Sequence, residues 1–156
     1  MHEAGHALVC QLLDVPVETV TIEWSGTSHG ALVYAGTPPP ESLLLILLAG
    51  EAATTRAERV GWLEQPVDED DPAQEDDDVR VTSDAQNIQM ALDQLYPNDP
   101  DAHDRALHAA RDRVDVVLEE LWAQIVLVAG ALLDATTLSG DEIHRITATE
   151  LEQAGS

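Results

Sequence analysis

The sequence predicts a single, mainly α-helical domain with one small β-hairpin. Its 156 residues, 44% of them hydrophobic, are enough to bury one core. Helix-start signals and helical spacing of apolar residues recur along the chain, whereas strict alternation of apolar and polar residues is confined to one segment. We therefore expect one domain spanning residues 1–156.

The first quarter of the chain predicts a helix followed by the hairpin. A helix is expected from His2 to about Leu13, because the Val15-Pro16 step disfavours its continuation. "VETVTIEW" alternates as a half-buried strand, "SGTSHG" supplies turn residues, and "ALVYAG" is the expected returning strand. The prolines of "TPPP" should end the sheet.

Three further helices are expected up to residue 134. The segment from Glu41 to about Val60 predicts a mostly buried helix, and Ser83–Tyr96 predicts another with Ser83 as its N-cap. Between them, the acidic, proline-containing stretch at about 64–80 predicts a mobile loop. Asp99 can cap, and Pro100 can open, a long helix that ends near Asp134.

A capping box predicts the last helix. In "SGDE", the Ser139 hydroxyl and the Glu142 carboxylate can each bind the other residue's backbone N–H, which starts a short C-terminal helix.

The charge balance excludes several partners. Thirty acidic residues stand against seven basic ones, a formal net charge of −23, so nucleic acid and anionic membrane surfaces should be repelled. No uninterrupted apolar run reaches the roughly 18 residues of a membrane span, so no membrane segment is expected. Cys10 is the only cysteine and cannot form an internal disulfide, which is compatible with a reducing cytoplasm; we expect it to pack as a small apolar group.

The opening "HEAGH" predicts a zinc site. On a helix, residues four apart share a face, so His2 and His6 can bind one ion. Glu3 is rotated by about 100° and flanks the ion, where it can act as general base. Because few residues precede His2, the first turn is expected to fray.

A catalytic zinc ion needs a third protein ligand, and helical phase ranks two of the candidates, Asp84 and Asn87. Asp84 lies near the centre of the apolar face of the third helix, one turn before Ile88, whereas Asn87 falls near its edge. An inward carboxylate is costly unless it is paired or binds a metal, which favours Asp84. Glu51 on the preceding helix is the alternative, and four histidines are weaker candidates: His29, His103, His108 and His144.

Beyond this motif, the chain resembles the peptidase domain of FtsH-type, ATP-dependent zinc metallopeptidases. "HEAGHALV" resembles the zinc helix of that family, and "VETVTIEWSGTSHGALVY" its strand-turn-strand segment. "LLLILLAGEAATTRAERV" is similar to the helix with the family's "GGRAAE" stretch, "VTSDAQNIQMALDQL" to the segment that presents the third ligand, and "LLDATTLSGDEIHRI" to the C-terminal ending. These segments occur in the family's order and cover nearly the whole chain.

The resemblance implies a helical peptidase fold and one Zn²⁺ held by two histidines and an aspartate. By position these are His2, His6 and an acid in "SDAQN", with Glu3 as general base in peptide hydrolysis. A strict register puts Asn87 at the aspartate position, and a shift of one turn puts Asp84 there, which the helical phase favours. Homo-oligomers are also implied, since the family forms hexameric rings.

The family's ATPase motif is not in this sequence, because no G-x-x-x-x-G-K-[ST] phosphate loop occurs. We therefore expect an endopeptidase that cleaves peptides or unfolded polypeptides, or that recruits a separate ATPase in trans. The alternative is a catalytically inactive interaction module that retains the peptidase fold.

Overall fold

A computed structural model describes residues 1–24, 29–61 and 74–155, which form five helices and a small sheet. The elements in chain order are α1 His2–Leu12, β1 Val17–Trp24, β2 His29–Tyr34, α2 Pro40–Arg59, α3 Gln74–Leu95, α4 Pro100–Ala135, β3 Thr137–Ser139 and α5 Gly140–Ala154. The predicted mainly helical class is confirmed, together with the predicted pairing of β1 and β2.

The sheet has one strand more than the predicted hairpin. Its antiparallel strands lie in the order β2-β1-β3, so β1 is central, and Val20 at its middle pairs with Leu32 on one side and Leu138 on the other. Val20 is fully buried. The third strand was missed because three residues between two helices carry too little alternation to be recognised. Strand β2 begins at His29, two residues earlier than predicted, and the turn residues 25–28 lie outside the described part.

Helix α1 is the central helix of the core. All residues from Glu3 to Cys10 are buried, so tertiary packing covers most of the first turn, and fraying there stays a prediction. Gly5 permits this packing, because a Cβ there would lie 2.6 Å from the carbonyl oxygen of Ala49 and 2.8 Å from Cβ of Ala53. Glycine opposite two alanines thus brings the backbones of α1 and α2 close together.

Helices α2 and α4 complete the core around α1. The apolar run 43–49 lies in α2, as predicted, and most of its side chains are buried. Helix α4 contributes a stripe with helical spacing: Ala110, Val114, Leu118, Ile125, Val128 and Leu132. Burial of these side chains is the main stabilising term of the fold.

Helix α3 begins nine residues earlier than predicted. It starts at Gln74, so the expectation of a loop up to residue 80 is wrong from residue 74 onward, and Ser83 lies inside the helix rather than at its N-cap. Residues 62–73 lie outside the described part. Four consecutive acids, at 75–78, fall in the first turns of α3, where negative charge is favourable beside the helix dipole.

The predicted helix starts in the C-terminal half are confirmed. The Asp99 carboxylate accepts a hydrogen bond from Ala102 N at 3.0 Å, and Pro100 is the first residue of α4. At α5, the Ser139 and Glu142 side chains each bond to the other's backbone N–H, at 3.2 and 2.7 Å. Thr136, with a φ of 68°, ends α4 and turns the chain into β3.

One described helix, α4, has the length and composition to cross a membrane. Its most apolar 18-residue window has a mean hydropathy of 1.9, and 28% of that window is buried. Core helices of water-soluble proteins pass the same test, so the finding is weak. The expectation of no membrane segment rested on uninterrupted apolar runs and stays a prediction.

Candidate metal centre

The three leading candidates, His2, His6 and Asp84, lie together. Nε2 of His2 is 3.2 Å, and Nε2 of His6 3.7 Å, from Oδ2 of Asp84. One nitrogen or oxygen from each residue lies within 4.8 Å of the others. Zinc bonds of about 2.0–2.1 Å place tetrahedral ligand atoms roughly 3.3 Å apart. The 3.2 Å distance from His2 to Asp84 is close to this spacing, and the 3.7 Å distance from His6 to Asp84 is somewhat longer.

Helix α1 aims the two imidazoles at this point. The rings of His2 and His6 meet edge to face, with centroids 4.6 Å apart. Nδ1 of His6 lies 2.6 Å from the carbonyl oxygen of Ile46, and a carbonyl can only accept, so Nδ1 carries the proton. In the neutral ring, the Nε2 lone pair then faces the cluster. A backbone carbonyl behind a histidine is a common way to fix the tautomer of a metal ligand.

Burial keeps His6 in the ligand form. The pKa of His6 is lowered from 6.5, first by desolvation and next by the neighbouring His2, while Glu3, the Ile46 carbonyl and Asp84 act in the opposite direction. A lowered pKa means that the ring is neutral at neutral pH, so no proton must leave before a metal binds.

Gly50 of α2 makes room for the cluster and was missed from the sequence. A Cβ at Gly50 would overlap Nε2 of His6 and would lie 2.7 Å from Nε2 of His2. The histidine nitrogens therefore occupy the space of an absent side chain. The sequence does contain a signal, a glycine in the interior of an apolar helix. Glycine there lowers helix stability by about 1 kcal/mol relative to alanine, so its presence indicates a packing requirement.

Glu3 lies between the two histidines in sequence and is 6% exposed. Its negative charge acts to raise the pKa of His6, against the larger lowering by desolvation. Glu3 is not one of the three residues whose donor atoms converge, so its carboxylate is left for a role other than metal ligation.

The other residues considered as a third zinc ligand are not part of this cluster. Asn87 and Glu51 are exposed, as are His108 and His144. His103 donates from Nε2 to the Tyr96 carbonyl oxygen at 2.8 Å and lies 3.7 Å from Asp93, so it ties α3 to α4. The His29 side chain lies outside the described part.

Cys10 is fully buried, and desolvation raises its pKa to about 12, which keeps the thiol protonated. It is a poor metal ligand in this state, because the thiolate is the ligating form. This matches its expected role as a small apolar packing group.

The donor set fits zinc. Two imidazole nitrogens and one carboxylate oxygen are a ligand combination that catalytic zinc sites use, with a fourth position left open. His2 and Asp84 are 25% and 28% exposed at their side chains, whereas His6 is 8% exposed. The cluster is thus anchored at His6 and accessible from the side of the other two residues.

Comparison with known proteins identifies no relative: no protein-family model matches the sequence, and no curated protein matches it significantly.

Proposed function

We propose that this protein is a zinc-dependent endopeptidase that hydrolyses peptide bonds in unfolded polypeptides. The observation that carries the proposal is the convergence of donor atoms of His2, His6 and Asp84, from two helices, on one small volume. When bound, zinc would lower the pKa of a coordinated water to near 7 and polarise the scissile carbonyl.

The roles of the protein side chains follow from their positions. His2, His6 and Asp84 would hold the ion, and the Ile46 carbonyl would keep the His6 ring oriented. Glu3 would take a proton from the attacking water and deliver it to the leaving amine. Its burial strengthens electrostatic interactions there, because the local dielectric is low.

Unfolded substrate is proposed because the cluster is only partly accessible. A scissile carbonyl must approach side chains that are about one-quarter exposed, which an extended segment can do more easily than a folded chain. A separate ATPase acting in trans and assembly into homo-oligomers are further proposals, and they rest on the resemblance to FtsH-type peptidases alone.

The test combines activity with metal content. We expect the zinc-loaded protein to cleave unstructured casein, and Glu3→Gln to keep its zinc while losing at least about a hundredfold in rate, the usual contribution of a general base. Equal, negligible cleavage by both proteins would remove the enzyme assignment.

The third ligand has its own matched pair of variants on α3. Asp84→Ala should lose bound zinc in elemental analysis, whereas Asn87→Ala, exposed one turn away, should retain it. Zinc retained by both variants would contradict Asp84 as a ligand, and Glu51 would then be the next candidate for the third ligand.

The second candidate is a non-catalytic interaction module with the same fold. It is favoured by the 3.2 Å contact of His2 with Asp84, because a hydrogen bond at this distance would tie α1 to α3 in a protein that binds no metal. In that case a chelator would leave the melting temperature unchanged, and added zinc would not raise it.

A further inference from the structure

A cleft between α2 and α4 concentrates the scarce positive charge of the chain. It encloses about 590 Å³, within the range of small-molecule sites, and contains none of His2, His6 and Asp84. Three of the seven arginines line it: Arg56, Arg59 and Arg111. The cleft is also lined by three acids, Glu51, Asp115 and Glu119, so its formal charge is zero in a chain of −23. An anion would meet less repulsion there than over most of the surface.

The arginines of this cleft keep hydrogen-bonding capacity. Within the described residues, none of the three forms an ion pair of 4 Å or less with a carboxylate. The Nε atom of Arg56 is buried and has no hydrogen-bond partner. A guanidinium carries five N–H donors, so the terminal N–H groups of these arginines are the ones that a ligand oxygen would engage.

Packing holds Arg56 in place. Its guanidinium carbon lies 5.1 Å from the ring centroid of Trp122, within the range of a cation–π contact. A guanidinium stacked on an aromatic ring keeps its N–H edge available, and that edge matches the paired oxygens of a phosphate or carboxylate. Arg111 faces the same cleft from α4, so two elements present guanidinium groups to one volume.

We propose that this cleft binds a small molecule carrying a phosphate or carboxylate group, held by Arg56 and Arg111 with Arg59 at the rim. The three acids would accept hydrogen bonds from hydroxyl or ammonium groups of the same molecule, which suits a polar ligand with both kinds of group. The cleft contains none of His2, His6 and Asp84, and its proposed ligand does not depend on the proposed peptidase activity.

The experiment titrates the metal-free protein by calorimetry with two probes, inorganic phosphate and succinate, at constant ionic strength. Saturable binding of one or both at millimolar concentration is expected, and the tighter probe identifies the oxyanion class. Arg56→Gln and Arg111→Gln should each weaken binding roughly tenfold, the usual effect of losing one charge-assisted hydrogen bond.

Arg105→Gln is the matched control, because it removes the same charge from an exposed position of α4 outside the cleft. The affinity of the Arg105→Gln protein for phosphate and succinate should equal that of the wild type. Equal weakening by Arg105→Gln would mean that only net charge matters, and absence of saturable binding of both probes would overturn the site. Because no zinc is present, neither result depends on the fate of the peptidase proposal.

Discussion

At the scale of single residues, the most informative position is Gly50. We expect Gly50→Ala to weaken zinc binding by at least about tenfold, because a methyl group would occupy the space of the two histidine Nε2 atoms. The measurement is zinc affinity by competition with a chromophoric chelator.

Gly130→Ala is the control for Gly50→Ala. Gly130 also lies inside a helix, but a Cβ there would meet nothing within 4 Å. This substitution should leave zinc affinity unchanged and stabilise the fold by roughly 0.5–1 kcal/mol. Wild-type zinc affinity in a folded Gly50→Ala protein would show that the cleared space is not needed.

A second residue-scale prediction concerns pH and His6. The folded protein holds the pKa of His6 below 6.5, so the unfolded chain binds the proton more readily. The stability that neutral His6 contributes is therefore present above about pH 6.5 and is lost as the pH falls through the lowered folded pKa. We expect the metal-free wild type to lose more stability between about pH 7.5 and 5.5 than His6→Gln, measured by urea unfolding. An identical loss in both proteins would argue against a buried neutral imidazole.

At the scale of elements, the start of α5 offers a clear test. The Ser139 backbone N–H and hydroxyl donate to Oε2 of Glu142 at 2.7 and 3.0 Å, and the same hydroxyl accepts from Glu142 N. Ser139→Ala removes the two side-chain bonds and should cost about 1 kcal/mol in the free energy of unfolding. Thr149→Ala, an exposed position of the same helix, should change it by less than about 0.5 kcal/mol. A cost of Ser139→Ala no larger than that of the control would contradict the cap.

The same capping box also shifts the pKa of Glu142. The hydrogen bonds from Ser139, backbone first and side chain second, lower the pKa of Glu142 because they stabilise the charged carboxylate. The stabilisation they supply is present above the ordinary value of 4.5 and is lost as the pH falls through the lowered pKa.

At the scale of the whole molecule, the net charge of −23 opposes compaction. Salt screens charges over a Debye length of about 10 Å at 0.1 M, so added sodium chloride should raise the melting temperature of the metal-free protein. Thermal unfolding followed by circular dichroism across a sodium chloride series measures this. A melting temperature that falls with salt would indicate that attractive pairs, rather than self-repulsion, dominate the electrostatics.

Much of the fold follows from local signals in the sequence. The alternation of "VETVTIEW" predicts β1 with its observed bounds, and Asp99-Pro100 and Ser139–Glu142 predict two helix starts, because caps and strand periodicity act over a few residues. The spacing of His2 and His6 and the inward phase of Asp84 likewise predict which side chains meet. Helical periodicity places His2 and His6 on one face of α1 and Asp84 on the apolar face of α3.

What only the tertiary structure decides are contacts between segments distant in the chain. The third strand forms because residues Thr137–Ser139 pair with the edge of β1 that β2 leaves open. The cleft that contains Arg56, Arg59 and Arg111 forms because α2 and α4 pack side by side. The sequence determines that His2, His6 and Asp84 are candidates for one site. The packing of α1, α2 and α3 decides that they converge over Gly50, because the distance between atoms on separate helices depends on how closely the backbones approach.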